Sequence, residues 1–146
     1  MQERRESSWK DCVESNSSLK VSPDRAKARS LIETAHGRTE FLKENTVKES
    51  NACYVFEGYY SCLLEMVHSL VILDGFNVRN HICLGYYLRD VLNRDDLFRL
   101  FDDCRFKRNS LVYYGRRMDF DIAQEAIEKC MRLIEELDLL IDENMG

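Results

Sequence analysis

The chain has 146 residues, of which 45% are hydrophobic and 32% are charged, so it has the size and composition of one globular domain. A single proline and six glycines leave few turns, which argues against a turn-rich β fold and favours long helices. The longest aliphatic run, 70–73, is far shorter than the roughly 20 residues that span a bilayer. Residues 1–10 lack the apolar core of a signal peptide, so we expect a cytoplasmic protein without a membrane partner.

The N-terminal segment, 1–21, is polar and, between Met1 and Val21 at its ends, offers only Trp9, Val13 and Leu19 as large apolar side chains for burial. Burying three side chains cannot offset the entropy that is lost when a segment of this length becomes ordered. We predict a flexible tail, or at most a short and loosely docked helix. Trp9 either rests on the remainder of the fold or anchors a partner.

Helical signals begin at residues 22–24, where a capping serine, a proline suited to the first turn and an aspartate predict a helix that runs to about Lys43. The next segment, about 47–73, is the most hydrophobic in the chain, and Gly75 is suited to end it in the left-handed conformation. A helix that is apolar over so much of its circumference has to be surrounded by other helices.

The second half of the chain predicts three more helices. Residues 77–93 have a less regular apolar pattern, and a short helix begins at Asp95 and leads into a basic stretch. From Asp119 to about Glu143, apolar side chains repeat at alternating three- and four-residue steps, and the acidic excess from Asp119 onward gives a local charge of −7. Together the patterns predict an all-α fold, an up-and-down bundle of four to five helices over 22–146.

Six cysteines raise the question of a metal site or of disulfides. None of them forms a Cys-x-x-Cys pair, and all except Cys12 and Cys104 fall within helical apolar patterns. We interpret them as free, buried thiols, since an unoxidised cysteine behaves as a small hydrophobic side chain. We predict no metal site and no cofactor.

The most informative stretch is CRFKRNSLVYYGRRM, residues 104–118, which holds five basic side chains and two tyrosines but no acidic residue. Guanidinium groups bind phosphate in a planar, two-pronged way, and aromatic rings between them stack on bases. On a helix that begins near Arg108, the side chains of Arg108, Asn109 and Tyr113 lie within about one and a half turns. The stretch predicts a cationic site for a phosphate or carboxylate group, or a protein interface, formed by Arg105, Lys107, Arg108, Asn109, Tyr113, Tyr114, Arg116 and Arg117.

The order of Arg108, its following asparagine and Tyr113 resembles the signature of the HEPN family (higher eukaryotes and prokaryotes nucleotide-binding domain). In that family an arginine, often followed by asparagine, precedes a histidine by four to six residues. The likeness covers residues 22–142 and includes the opening SPDRAKARSLIETA, the helix ACYVFEGYYSCLLEMVHSLVILDG and His81 after it. The resemblance implies a HEPN-like bundle, a homodimer whose two Arg108 side chains line one cleft, and a link to toxin–antitoxin and RNA-processing systems with a nucleotidyltransferase partner.

The chain departs from the family at two positions. Family members that cleave RNA without metal have a histidine where this chain has Tyr113. A phenol, with an ordinary pKa of about 10, is a poor base at neutral pH, whereas an imidazole, at about 6.5, is well poised. Some family toxins carry a tyrosine that the nucleotidyltransferase modifies, and the matching position here is Gly115. Arg108 and Tyr113 are the candidate catalytic residues, but these departures favour binding over cleavage.

Three hypotheses follow from these observations. The first, which we favour, is a non-cleaving module in which Arg108 holds a phosphate of RNA or a nucleotide, or contacts the nucleotidyltransferase. The second is a metal-independent endoribonuclease whose base comes from elsewhere in the fold, from His36, His68 or His81. The third is a structural assembly domain, in which the basic side chains pair with the aspartates at 102–103 or with the acidic last helix.

Overall fold

A computed structural model describes residues 6–113 and 118–145, and of residues 112 and 113 only the backbone. Its helices are α1 Trp9–Glu14, α2 Arg25–Lys43, α3 Ala52–Leu73, α4 His81–Tyr86, α5 Asp95–Tyr113 and α6 Phe120–Met145, with a π-helical segment at Tyr87–Val91. Two short strands, β1 Ser18–Lys20 and β2 Phe76–Val78, form an antiparallel pair. The all-α class is confirmed, with a small sheet that the sequence patterns did not predict. Among the described helices, none combines the length and the apolar character that a membrane crossing requires.

The most hydrophobic helix, α3, lies at the centre of the fold. It packs mainly on α2 and α6, and it also contacts α4, α5 and β2. Phe56, Leu63 and Met66 are fully buried along it. At Gly58 an added Cβ would lie 2.8 Å from a methyl group of Leu42, so the glycine lets α2 and α3 approach closely. The helix is therefore surrounded, as its composition predicts.

The helix predicted over 77–93 is replaced by a strand, a short α-helix and the π-helical segment. β2 pairs with β1 in a register that places Val78 opposite Ser18. Asn80 then caps α4, because its side-chain oxygen accepts a hydrogen bond of 3.0 Å from the backbone N–H of Cys83. The helical pattern failed here because the strand depends on a partner that lies far away in the sequence.

Residues 6–20 differ from the predicted flexible tail. α1 is docked on the fold through Trp9, whose ring packs edge-on against Phe76 and Tyr87 with centroid distances of 5.2 and 5.3 Å. The backbone N–H of Trp9 also donates to a carboxylate oxygen of Asp90 at 2.8 Å. Of the two interpretations of Trp9, the structure shows the one in which it rests on the remainder of the fold.

The prediction of six free thiols is wrong at two positions. Cys12 of α1 and Cys83 of α4 form a disulfide between residues that are 71 apart in the sequence. The other four are free and buried, as predicted: Cys53, Cys62, Cys104 and Cys130. The bridge attaches the N-terminal segment to the helix that begins with His81, and nothing in the local sequence pattern indicates this pairing.

Candidate functional site

The first half of the basic stretch belongs to one long helix. α5 runs unbroken from Asp95 to Tyr113, whereas the sequence predicted a short helix before the basic residues. Arg105 and Arg108 are three residues apart, so they project from the same side of α5. Lys107 and Asn109 are partly buried on the same helix, whereas four predicted site residues lie outside the described part of the chain, either entirely (Tyr114, Arg116 and Arg117) or in their side chain (Tyr113).

Two of the basic side chains on α5 are paired with aspartates of the same helix. Nε of Arg105 donates to Oδ1 of Asp102 at 3.0 Å, and Nζ of Lys107 donates to Oδ2 of Asp103 at 2.8 Å. Lys129 of α6 donates to the same oxygen of Asp103 at 2.9 Å and so links the two helices. Burial tends to raise the pKa of Asp103, but the two lysines outweigh burial and hold it below its ordinary value. These ion pairs with Asp102 and Asp103 are the ones predicted by the third hypothesis, that of a structural assembly domain.

Arg108 is arranged differently from its neighbours. Its side chain is partly buried, and it pairs with no carboxylate of residues 6–111 or 118–145. Its guanidinium carbon lies over the ring of Tyr60, 5.8 Å from the ring centroid, which is near the outer limit of a cation–π contact. Such a contact satisfies no N–H donor with an oxygen acceptor, so within residues 6–111 and 118–145 no carboxylate occupies the donors of Arg108.

Tyr60 connects Arg108 to His81. The hydroxyl oxygen of Tyr60 lies 3.1 Å from Nδ1 of His81. Burial and the nearby positive charges of Arg108 and Arg105 lower the pKa of His81, so its imidazole is neutral at neutral pH. Burial raises the pKa of Tyr60, which keeps the phenol protonated. We call this group, formed by Arg105, Arg108, Tyr60 and His81, the Arg108 site.

The other two histidines have different environments. Nε2 of His36, on α2, lies 2.7 Å from a carboxylate oxygen of Asp138 on α6, beside a separate cavity. The pKa of His68, on α3, is lowered mainly by burial, and further by Lys27 and by His81 when that ring is protonated. Of the three candidate bases named from the sequence, His81 is the one on which the charge of Arg108 acts directly.

Tyr60 is a residue of the Arg108 site that the sequence patterns do not single out. Its place in the helical pattern predicts a buried side chain, and it is 1% exposed. A buried tyrosine also keeps a hydroxyl group that needs a hydrogen-bond partner, which is the available signal that it is more than an apolar residue. The sequence does not show that the partner is a histidine of another helix.

Comparisons with protein-family models, with curated proteins and with solved structures find no match to this chain. Over residues 6–111 and 118–145, no group of three or more His, Cys, Asp and Glu side chains is placed to hold a metal ion. Function is therefore inferred from the geometry of the Arg108 site and from the resemblance of the sequence.

Proposed function

We propose that the protein is a non-cleaving, HEPN-like binding module whose Arg108 site holds a phosphate group of RNA or of a nucleotide. The observation that carries this proposal is the contrast along α5: Arg105 and Lys107 are paired with aspartates, whereas Arg108 rests on the ring of Tyr60 without a described carboxylate partner. A guanidinium held in place by an aromatic ring is ready for an anion, because its planar donors match two phosphate oxygens.

The distribution of charge supports an approach of the phosphate ligand to the side of the protein on which α5 lies. The last part of the chain, from Asp119 onward, has a local charge of −7 and repels phosphate. Arg105 and Arg108 are on another helix and share one side of it. In this proposal Asn109 orients the phosphate or fixes the local backbone, and the tyrosines and arginines of residues 113–117 add stacking and charge.

The resemblance to the HEPN family supplies the other parts of the proposal. They are the up-and-down bundle, a homodimer that places two copies of Arg108 in one cleft, and a nucleotidyltransferase partner in a toxin–antitoxin type of system. Their support is the likeness over residues 22–142.

Replacing Arg108 with glutamine should weaken the binding of a short single-stranded RNA about tenfold or more, because a hydrogen bond to a charged group contributes about 1.5–3 kcal/mol. Fluorescence anisotropy of a labelled RNA measures the affinity. Arg99→Gln is the matched control, since Arg99 lies on the same helix with its side chain 79% exposed and pairs with Asp95. The control should stay within about twofold of the wild type. Equal losses in the two variants, or no RNA or nucleotide binding by the wild type, would contradict the proposal.

The contacts of His81 favour a second candidate function, a metal-independent endoribonuclease. When Nδ1–H of His81 donates to the oxygen of Tyr60, the neutral ring presents an unprotonated Nε2. That nitrogen is suited to accept the proton of a ribose 2′-hydroxyl as the oxygen attacks the adjacent phosphorus, while Arg108 stabilises the charge on the phosphate. His81 would then supply the base that this chain lacks at Tyr113, where the family signature has a histidine.

If His81 is the base, His81→Ala should lower the cleavage rate of a labelled RNA by roughly 10²- to 10⁴-fold, the usual contribution of a positioned base. His36→Ala, which alters a histidine outside the Arg108 site, should leave the rate unchanged. Because the pKa of His81 is lowered, the wild-type rate should stay level through neutral pH and fall only under acidic conditions, where the ring gains a proton. Absence of cleavage by the wild type, or the same rate in His81→Ala, eliminates this candidate.

A further inference from the structure

A cavity of about 140 Å³ lies between α2 and α6 and shares no residue with the Arg108 site. Both helices pack on α3 and barely contact each other, so α3 forms the floor of the groove between them. The contact of His36 with Asp138 crosses the groove from α2 to α6. The cavity therefore results from the way in which α2 and α6 pack on α3.

Tyr59 supplies an unpartnered polar group on the floor of this cavity. The residue is 3% exposed, and its hydroxyl has no hydrogen-bond partner within the described ranges. In those ranges, the side-chain atoms that are both fully enclosed and unpartnered are Oγ of Ser18 and Oε2 of Glu65. Tyr59 lines the cavity, and its hydroxyl is not one of these enclosed atoms. Burial raises the pKa of Tyr59, which keeps the phenol neutral with lone pairs that accept hydrogen bonds.

The charges around the cavity favour a cation. Three carboxylates, of Glu40, Glu135 and Asp138, face Lys43 and His36, so the lining is net negative whether or not His36 is protonated. The same cavity has an apolar wall from Met131 and Ile134 of α6. A ligand that complements both features carries a positive group at one end and a short hydrocarbon tail at the other.

We propose that this cavity binds a small primary alkylammonium ion. Its ammonium group donates to the hydroxyl of Tyr59 and to a carboxylate at the rim, from Glu40 or Glu135, and its tail packs on the apolar wall of α6. A cavity of about 150 Å³ holds a ligand of the size of benzene, and n-butylammonium, which has fewer non-hydrogen atoms, suits the present cavity of about 140 Å³. This site is independent of the proposed function of the Arg108 site.

The test is an NMR titration of the whole protein with n-butylammonium chloride, with butyrate as a ligand of similar size and opposite charge. We expect saturable shifts at the cavity residues with butylammonium and none with butyrate. Tyr59→Phe keeps the ring and should weaken binding about tenfold, the loss of one hydrogen bond to a charged group. Tyr54→Phe is the matched control, since Tyr54 lies on the same helix, is 70% exposed and does not line the cavity.

The variant Tyr59→Phe should fold normally because the hydroxyl that it removes has no partner among the described residues. Shifts that do not saturate, equal binding of butyrate, or unchanged affinity in a folded Tyr59→Phe variant would overturn the proposal.

Discussion

Reduction of the Cys12–Cys83 disulfide is expected to lower the free energy of unfolding by about 4 kcal/mol. The bridge joins residues that are 71 apart, and closing a loop of that length restricts the unfolded chain enough to stabilise the native state by about this amount. It also connects two short helices, α1 and α4, of six residues each. Urea unfolding with and without a reductant measures the difference.

A Cys12→Ala variant provides the control for this measurement. Its stability should be as low as that of the reduced wild type, and reductant should not lower it further, because Cys53, Cys62, Cys104 and Cys130 are already free. Equal stability of the wild type with and without reductant would contradict a stabilising role for the bridge. Since thiols are kept reduced in the cytosol, the Cys12–Cys83 disulfide is at odds with the cytoplasmic location that we expect from the sequence.

Replacing Tyr60 with alanine is expected to lower the free energy of unfolding by about 3–5 kcal/mol, the usual cost of removing a buried aromatic ring. Tyr60 is 1% exposed, and its ring lies 6.3 Å from that of Phe56 and 6.2 Å from that of Phe101, measured between centroids. The substitution leaves a cavity in the core. It also removes the ring that Arg108 contacts and the hydroxyl that is bonded to His81.

Tyr54→Ala is the matched control, because it makes the same change on the same helix at a residue that is 70% exposed. Its effect should be within about 0.5 kcal/mol. Tyr60→Phe keeps the ring and removes only the bond to His81, so it should cost about 1 kcal/mol. Chemical unfolding measures the stability of both variants. A similar loss of unfolding free energy in Tyr60→Ala and Tyr54→Ala would contradict the description of Tyr60 as buried and Tyr54 as exposed.

The sequence predicts the helices whose signals are local. α2 was expected to begin at residues 22–24 and to end near Lys43, and it spans Arg25–Lys43, with the side chain of Asp24 accepting from the backbone N–H of Lys27 at 2.9 Å. α6 likewise follows its amphipathic repeat. The β1–β2 pair and the disulfide could not be predicted, because each depends on distant segments that meet only in the folded chain.

In the candidate site, too, features that depend on neighbours in the sequence could be predicted, and contacts between distant segments could not. Charge density and spacing identified Arg108, and the pairing of Arg105 with Asp102 is also local, since the two are three residues apart on α5. Tyr60 and His81 come from α3 and α4, and their contact depends on how these helices pack. The helical pattern predicts that Tyr60 is buried, but it contains no information about the partner of the hydroxyl group.

The claim that Arg108 contacts phosphate is tested most directly by the salt dependence of RNA binding in the wild type and in Arg108→Gln. Each phosphate contact releases condensed counterions, so the logarithm of the binding constant falls with the logarithm of salt concentration by about 0.7 per contact for single strands. Between about 50 and 200 mM salt we predict a negative slope for the wild type and a slope shallower by about 0.7 for the variant. A wild-type affinity that does not change with salt, or the same slope in both proteins, would contradict the claim.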